Sequence, residues 1–331
     1  MNFNKDKLSI KNILIAVRAY SLTISVTSWA VAFLYSLLHK GNAIYGIIAL
    51  IGILFLHMAT NLFDDIVDYE IAKKKIDKGI KTSFDFQKGK CALLFENIFT
   101  ISDFKIAALL LFGVAFAISI FFLFIYGITL FKIIIPTAIL CLLYPILGCL
   151  GFGELIVALI FSPLLYLGVN YVMSGSFSTE MLLISISTGL LSVAVLHNHM
   201  LLDYNYDEMN RKITLCRLCK SKKNALYLLG IIILLAYINI VILTITKFLS
   251  PLYLLVFLSF PTAIVLYKVM NLHIKDPKEK IRYNIFMGNI NDINNVPVEQ
   301  KDFILKFLIM RNLLNSFTVW LCAAMVLTCI L

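Results

Sequence analysis

Three carboxylates and an amide lie close together where a long apolar segment ends. The stretch "HMATNLFDDIVDYE" contains Asn61, Asp64, Asp65 and Asp68, here called the first acidic cluster. In an α-helix these positions are i, i+3, i+4 and i+7, so their side chains share one narrow face. Because neighbouring carboxylates repel one another, the cluster predicts a cationic group that holds them together.

A second acidic cluster, Asp203 and Asp207, lies in "HNHMLLDYNYDEMNRKITL". Its two carboxylates are i and i+4 and therefore share a helical face. Mg²⁺ prefers oxygen ligands and keeps coordination positions for substrate phosphates, so two such clusters indicate a metal-bound diphosphate. Lys90, Lys212 and Arg217 are candidates to neutralise its outer oxygens. The alternative for either cluster alone is a solvated helix end.

The composition is that of a polytopic membrane protein. The 331 residues are 60% hydrophobic and 15% charged, and the mean hydropathy is +0.91. Soluble domains are about half apolar and about a quarter charged. Ionisable groups at membrane depth are costly and usually functional, which favours a functional role for both acidic clusters.

Nine apolar segments are each about long enough to span a bilayer. They are residues 12–38, 43–69, 104–126, 129–147, 153–174, 178–202, 224–248, 251–271 and 303–330. Of the 29 Lys and Arg residues, only Lys40, Lys132 and Lys247 lie on the connections of one side. The positive-inside rule puts the N-terminus and both acidic clusters in the cytoplasm. The net charge of +10 is therefore topological, and nucleic acid is not an expected partner.

The expected fold is all-α, with nine transmembrane helices around a central cavity. Residues 1–331 are expected to form a single transmembrane domain. Within it, 272–302 is a polar cytoplasmic loop. The second and sixth spans both end in acidic clusters followed by basic loops, which suggests two related halves facing each other across the cavity.

Cysteine and histidine give weaker signals. Cys216 and Cys219 form one CxxC, but no second pair or histidines follow at ligand spacing, so an ordinary apolar role is favoured over a zinc site. His197 and His199 flank Asn198 near the end of the sixth span. A packing role is favoured for both histidines over a metal role.

The motifs resemble those of the UbiA superfamily of intramembrane prenyltransferases. "NLFDDIVDY" at 61–69 is similar to the family's first motif, N-L-x-N-D-Y-x-D-Y. The second motif, D-x3-D followed by G-K-x-T-L, is matched at Asp203, Asp207, Lys212, Thr214 and Leu215. "KGKCALLFENIFT" at 88–100 resembles the family's basic stretch, which places Lys90 near the diphosphate.

One branch of the family is favoured by a third stretch. "GFGELIVALIFSPLLYLGVNYVMSG" at 151–175 resembles the G-L-G-E-L segment and following helix of 1,4-dihydroxy-2-naphthoate prenyltransferases of menaquinone synthesis. There are departures: Asp64 stands where the family usually has Asn, and His199 and Leu202 replace an Asn and an Arg. The resemblance covers about residues 10–265.

The resemblance implies a donor, an acceptor and a set of site residues. A polyprenyl diphosphate would lie between the clusters, with Asp65 and Asp68 on one Mg²⁺ and Asp203 and Asp207 on the other. Asn61 and Asp64 would support them. An allylic cation would be stabilised by aromatic rings, for which the candidates are Tyr144, Tyr166 and Tyr171. The acceptor, 1,4-dihydroxy-2-naphthoate, would lose its carboxylate as carbon dioxide.

Arg18 has several interpretations. The family tends to have an Arg-Pro here, and this chain has "VRAYSLTIS" without the proline. The guanidinium either contacts diphosphate, contacts the acceptor carboxylate, or reaches the membrane interface as long basic side chains do.

Other functions fit less well. The runner-up is a UbiA-type enzyme with another acceptor, such as 4-hydroxybenzoate, a haem or a sugar phosphate. The glycine- and arginine-bearing motif of CDP-alcohol phosphotransferases does not occur in the sequence. A transporter usually has its ion site near the bilayer midplane, whereas these clusters lie at helix ends on one side. The expected location is the inner membrane of a bacterium.

Overall fold

The computed structural model describes residues 9–77, 91–209, 212–276, 281–291, 293 and 298–331. Throughout these ranges the regular structure is helical, apart from one β-bridge between Leu150 and Ile213. The predicted all-α class is confirmed. The α-helices are α1 (Ile10–Ala16), α2 (Thr23–Leu38), α3 (Ala43–Asp77), α4 (Ala92–Phe95), α5 (Ile101–Tyr126), α6 (Ile128–Gly148), α7 (Gly153–Leu159), α8 (Leu165–Ser174), α9 (Thr179–Leu202), α10 (Tyr204–Met209), α11 (Leu215–Leu218), α12 (Lys222–Ile245), α13 (Phe260–Lys275) and α14 (Val298–Ile330).

Nine segments of the described chain are long and apolar enough to cross a membrane, which confirms the predicted number. They are Ala19–Leu38, Ala43–Asp77, Ile101–Tyr126, Ile128–Gly148, Gly153–Ser174, Thr179–Leu202, Lys222–Ile245, Pro251–Lys275 and Lys301–Ile330. The second span is longer than its apolar segment. Basic side chains in its last turn, Lys74 and Lys75, are favourable at the negative end of the helix dipole.

The fifth span contains a π-turn, Ile160–Leu164, between α7 and α8. Pro163 lies in this turn and has no N–H to donate, which disrupts the regular ladder. The neighbouring Ser162 Oγ donates to the carbonyl oxygen of Ser185 on α9 at 2.9 Å. Gly189 makes this approach possible, because a Cβ there would lie 2.4 Å from Ser162 Cβ. The π-turn therefore brings the fifth span tightly against α9.

The polar connection between α13 and α14 is shorter than the sequence predicts, since the helices extend to Lys275 and from Val298. Its described part packs on α14. Asn312 Nδ2 donates to the carbonyl oxygens of Met287 at 2.8 Å and Asn289 at 2.9 Å.

The crossing of α2 and α3 has no room for a side chain at Gly46. Trp29 Nε1 donates to the Gly46 carbonyl oxygen at 2.8 Å. A Cβ at position 46 would lie 2.4 Å from Phe33 Cδ2 and 2.7 Å from Met173 Sδ. We expect Gly46→Ala to lower the free energy of unfolding by about 1–3 kcal/mol, because the helices must move apart. The measurement is the thermal unfolding midpoint in detergent, followed by circular dichroism.

Gly113→Ala on α5 is the matched control. Apart from its chain neighbours and the nearby backbone of α5, no atom of the described residues lies within 4 Å of a Cβ built at Gly113, and Ala has the higher helix propensity. Its midpoint is expected to equal or slightly exceed that of the wild type. Equal midpoints for the two variants would contradict the tight crossing at Gly46.

Candidate active site

The first acidic cluster lies in the second half of α3, on one helical face as predicted from its spacing. Asn61, Asp64 and Asp65 are buried, with 8%, 5% and 2% of their surfaces exposed. Another face of this part of α3 is held by a small apolar core. That core consists of Ala16, Leu62, Ile66, Leu93, Leu94, Phe104 and Ala108. The packing fixes the direction in which the carboxylates point.

Arg18 is the cation that holds the first acidic cluster together. Its Nη1 lies 3.0 Å from Asp64 Oδ2, and its Nη2 contacts Asp65 Oδ1. Burial is the largest single influence and by itself would lower the pKa of Arg18, but the surrounding negative groups, with Asp64 the strongest, together outweigh it and the pKa is raised. The backbone of Arg18 is left-handed, with φ 51° and ψ 51°, which is uncommon for a residue other than glycine. This turn after α1 is what aims the guanidinium at α3.

His57 is a site residue that the sequence reasoning missed. Its Nδ1 lies 2.7 Å from Ser25 Oγ and its Nε2 lies 3.3 Å from Ser21 Oγ. Asn61 Nδ2 donates to the same Ser21 Oγ and to the Val17 carbonyl oxygen, each at 3.0 Å. The helical spacing could have identified His57, because position 57 is four residues before Asn61 and shares the helical face of the first acidic cluster.

Only part of the basic stretch after α3 can be described. Lys90, the predicted diphosphate contact, lies outside the described residues. The next residue, Cys91, is buried, and its Sγ lies 3.3 Å from the carbonyl oxygen of Asp65. The chain after position 90 therefore returns to the first acidic cluster.

The second acidic cluster lies at a helix junction instead of on one continuous helix. Asp203 ends α9 and Asp207 is in α10. The Asp207 N–H still donates to the Asp203 carbonyl oxygen at 2.9 Å, so the i, i+4 relation survives the junction. Asp207 is buried, and Asp203 Oδ2 lies 3.2 Å from His199 Nε2.

The loop after α10 carries two of the predicted phosphate contacts, Lys212 and Arg217. The Lys212 N–H donates to the Asp207 carbonyl oxygen at 2.9 Å. Arg217 Nη1 donates to the Lys212 carbonyl oxygen at 3.0 Å, and the bridge from Ile213 to Leu150 anchors the loop to the end of α6. Both basic residues are thereby held beside the second acidic cluster.

A cavity of about 740 Å³ lies beside the two clusters. This is within the range of roughly 300–1,000 Å³ typical of ligand sites. Its polar end includes Arg18, Asn61 and His199, which contact one cluster or belong to it. The rest of the wall is mainly apolar and comes from several spans, including Ile53, Leu56, Phe112, Ala115, Ile118, Phe122, Leu130, Ile133, Phe161, Leu165 and Val169.

The last span contributes a second cation to the cavity. Phe307, Arg311 and Leu314 of α14 all line it, and positions 307, 311 and 314 share one helical face. Phe307 also packs edge-on against Tyr20, with ring centroids 5.8 Å apart. Sequence reasoning missed Arg311, because one basic residue in a span has no motif around it.

The three candidate tyrosines have different surroundings. Tyr144 lines the cavity. Tyr171 does not belong to the described cavity wall, and it packs against Tyr126 and Phe177 near the end of α8. That end contacts the beginning of α3, since the Asn42 N–H donates to the Met173 carbonyl oxygen. Tyr171 thus lies near the end of α8 that meets the beginning of α3 and outside the described cavity wall, and its role beside the reacting carbon stays a prediction. Tyr166 is fully buried in the core.

The donor atoms fit hard divalent cations. Both clusters offer carboxylate oxygens, and the first adds an amide oxygen at Asn61. Mg²⁺ and Ca²⁺ take such ligands. In the first cluster the guanidinium of Arg18 already compensates two of the carboxylates, so a bound cation and Arg18 would share their charge.

Comparison with known proteins decides the family. Residues 23–290 match the model of the UbiA prenyltransferase family. The chain belongs to the UbiA prenyltransferase family. No curated protein matches the sequence at a significant level.

Two solved structures have the same UbiA fold. A chain described as digeranylgeranylglyceryl phosphate synthase in membranes is 18% identical, with a TM-score of 0.58 over 96% of this chain and 99% of that one. A UbiA homologue from Aeropyrum pernix K1, in its apo form, is 14% identical, with a TM-score of 0.59 over 92% of this chain and 98% of that one. At these identities the likeness establishes the fold alone.

UbiA membership and the nine spans make this protein an integral membrane prenyltransferase. The family in general joins prenyl diphosphates to aromatic acceptors and uses divalent metal ions. In this chain, the two acidic clusters and the cavity with a polar end and an apolar wall are the parts suited to prenyl transfer.

Proposed function

We propose that this protein transfers a polyprenyl group from polyprenyl diphosphate to 1,4-dihydroxy-2-naphthoate, giving demethylmenaquinone in its hydroquinone form, and that residues 1–331 form one domain for this reaction. The observation that carries the proposal is the cavity, whose polar end adjoins both acidic clusters and whose remaining wall is apolar. A diphosphate head and an isoprenoid tail have the same two-part character. The choice of acceptor rests on the resemblance of residues 151–175 to the naphthoate branch.

The acidic clusters are assigned to two Mg²⁺ ions. Asp65 and Asp68 would hold one ion, Asp203 and Asp207 the other, and the remaining residues of the first cluster would support them. When bound, Mg²⁺ supplies Lewis-acid stabilisation of the charge that develops on the departing diphosphate.

Basic side chains are assigned to the outer phosphate oxygens. Arg18 holds Asp64 and Asp65 and lines the cavity, so its five N–H groups serve carboxylates and a phosphate together. Lys212 stands beside the second cluster, and Lys90 is proposed from the motif. Arg311, which also lines the cavity, is suited to the carboxylate of the acceptor.

The reaction breaks one bond to the donor and forms one to the acceptor. The bond between C1 and the diphosphate oxygen breaks, and the electron pair leaves with the diphosphate. The acceptor ring carbon that bears the carboxylate then bonds to C1, and carbon dioxide leaves while its electron pair restores the aromatic ring. The apolar wall keeps water away from the allylic cation, and Tyr144 offers an aromatic face for cation–π attraction.

The proposed substrates reach the cavity from the bilayer. Leu109 and Phe116 of α5 and Leu142 of α6 line the cavity and are also 72%, 66% and 49% exposed, as expected for residues that face lipid. We place the N-terminus and both acidic clusters on the cytoplasmic side of a bacterial inner membrane, since Lys and Arg are concentrated on that side.

A second acceptor class keeps the same donor site. 4-Hydroxybenzoate also carries a carboxylate on an electron-rich ring, so Arg18 and Arg311 would suit it equally well. A protein described as digeranylgeranylglyceryl phosphate synthase has the same fold, so a prenylated glycerol phosphate is included among the acceptors to be tested.

The test is a transfer assay with purified protein in detergent, Mg²⁺ and a radiolabelled polyprenyl diphosphate. The acceptors supplied separately are 1,4-dihydroxy-2-naphthoate, 4-hydroxybenzoate and geranylgeranylglyceryl phosphate. The expected result with naphthoate is the labelled hydroquinone, recovered as demethylmenaquinone after oxidation in air, and little product with the other acceptors. Transfer to another acceptor alone would retain the donor site and overturn the menaquinone assignment. Absence of transfer to every acceptor, with intact donor binding, would also overturn it.

The cavity wall predicts how the enzyme responds to donor length. Ala115 of α5 is buried and lines the apolar part of the cavity. Ala115→Phe is expected to lower kcat/KM for a long polyprenyl diphosphate at least about tenfold more than for a short one, because the larger ring occupies space that the distal isoprene units need. Ala117→Phe, two residues along on the exposed side of α5, is the matched control. Equal losses for long and short donors would contradict this placement of the tail.

A further inference from the structure

Three side chains that could bind a metal meet away from the two acidic clusters. Glu154 comes from the first turn of α7, His197 from α9 and Cys216 from α11. One ligand atom from each lies within 4.8 Å of the others. Glu154 is 5% exposed and the other two are fully buried. None of the three is used in the proposed prenyl transfer.

The hydrogen bonding of His197 shows which of its nitrogens faces the cluster. Nε2 lies 3.0 Å from the carbonyl oxygen of Ala225, and a carbonyl only accepts, so the proton is on Nε2. Nδ1 lies 3.4 Å from Glu154 Oε1. In the neutral tautomer two lone pairs therefore face each other. A proton or a metal ion between them makes the contact favourable.

A second observation points to a ligand at this position. Glu154 Oε1 is buried and has no hydrogen-bond partner among the residues that the structure describes. A buried carboxylate oxygen left in this way is costly. The oxygen is directed at Nδ1 of His197, as in a carboxylate–imidazole pair that shares a cation.

Two of the three donor-atom distances match tetrahedral zinc, and all three are within 4.8 Å. Zn–N and Zn–O bonds of about 2.0 Å and Zn–S bonds of about 2.3 Å place neighbouring ligands roughly 3.3–3.6 Å apart. Here Nδ1 lies 3.4 Å from both Glu154 Oε1 and Cys216 Sγ. The sulfur is also 3.5 Å from Nε2, and its thiol donates to the His197 carbonyl oxygen at 3.3 Å. Coordination at Nδ1 therefore requires the Cys216 side chain to rotate and give up this hydrogen bond.

We propose that Glu154, His197 and Cys216 form a binding site for a Zn²⁺-class ion. The mixture of thiolate, imidazole and carboxylate favours zinc, whereas the all-oxygen acidic clusters favour Mg²⁺. The ion clamps α11 to α7 and α9 and so fixes the loop that follows the second acidic cluster. The bond from Nε2 to the Ala225 carbonyl is the outer contact that orients the histidine ligand.

Metal content of the purified protein tests the site without relying on prenyl transfer. Protein is produced with added zinc, dialysed against a weak chelator in detergent and analysed by elemental mass spectrometry. We expect about one zinc per chain in the wild type and less than about a tenth of that in Cys216→Ser and His197→Gln. Cys322→Ser, which changes a cysteine of α14 outside the cluster, is expected to retain the zinc.

Cobalt substitution gives a second measurement that does not require the ligand variants to fold. Metal-free wild type titrated with Co²⁺ is expected to show a thiolate-to-cobalt charge-transfer band, and Cys322→Ser should show the same band. A wild type without zinc and without this band would overturn the proposal and leave a proton between His197 and Glu154. A folded Cys216→Ser that keeps its full zinc content would also overturn it.

Discussion

Asp68→Asn and Asp207→Asn are each expected to reduce prenyl transfer by about 10²–10³-fold, in the range found when one group that stabilises a transition-state charge is removed. Each substitution preserves shape and removes one carboxylate charge from a proposed metal site. The weaker site holds Mg²⁺ less tightly, so less of the negative charge on the departing diphosphate is compensated. The measurement is the initial rate of transfer at several Mg²⁺ concentrations.

The Mg²⁺ dependence separates a metal role from a structural one. If the carboxylates bind Mg²⁺, raising its concentration should recover part of the lost rate and shift the half-saturating Mg²⁺ concentration upward. A carboxylate that only supports the fold would give a rate that is low and insensitive to added Mg²⁺, together with a lower unfolding midpoint.

Each variant has a matched control next to it in the chain. Glu70→Gln follows Asp68 on α3, where Glu70 is half-exposed and pairs with Lys105 at 3.4 Å. Glu208→Gln follows Asp207, and Glu208 is mostly exposed, with its Oε1 3.9 Å from Arg217 Nη2. Exposed ion pairs contribute about 0–1 kcal/mol to stability, so both controls are expected to retain near wild-type rates of prenyl transfer. Equal losses of transfer rate in the controls and in the aspartate variants would contradict the assignment of the metal ligands.

The fold was largely predictable because the bilayer imposes simple limits. A span needs about 20 apolar residues with every backbone group satisfied inside the segment, and hydropathy reports that length directly. Each of the nine segments contains a helix of membrane-spanning length, and the first segment, 12–38, is interrupted by the turn at Arg18. The π-turn at Pro163 was not predictable in the same way, because it depends on the contact of Ser162 with α9.

The acidic clusters were predictable from periodicity, but the partners of their side chains were not. Helical spacing placed Asp64 and Asp65 on one face. It gave no means of knowing that Arg18 adopts a left-handed backbone and reaches both carboxylates. Tyr171 is a similar case, because its place in the fifth span gave no indication that its ring packs with Phe177 beyond the end of α8.

The Glu154, His197 and Cys216 cluster had no sequence signal of its own. Zinc motifs are recognised by ligands at short, regular spacing, and here the three ligands come from three separate helices. The CxxC that Cys216 forms with Cys219 marked position 216 as a possible ligand. Its partners Glu154 and His197 lie earlier in the chain, however, where no spacing rule connects them to the CxxC. Only the packing of α7 against α9 brings Glu154 to His197.

Arg18→Asn is expected to lower both stability and activity. Asn tolerates a left-handed backbone, so the change removes the charge without straining the turn after α1. It leaves the carboxylates of Asp64 and Asp65 buried without the Arg18 guanidinium. Removing one partner of a buried ion pair lowers the free energy of unfolding by about 3 kcal/mol or more. The measurement is the thermal unfolding midpoint in detergent, with the transfer rate measured on the same preparations below that midpoint.

A double variant separates the two roles of Arg18. Arg18→Asn combined with Asp64→Asn removes the guanidinium together with one of the two carboxylates, and Asn is the residue that UbiA motifs usually have at position 64. If Arg18 only compensates the first acidic cluster, the double variant recovers stability and transfer together, with a coupling of about 0.5–3 kcal/mol between the sites. If Arg18 also contacts diphosphate, stability returns while the KM for the donor stays high. An unchanged unfolding midpoint in Arg18→Asn would contradict the ion pairs themselves. Arg18→Lys keeps the charge but loses the bidentate contact, so its unfolding midpoint should lie between those of the wild type and Arg18→Asn.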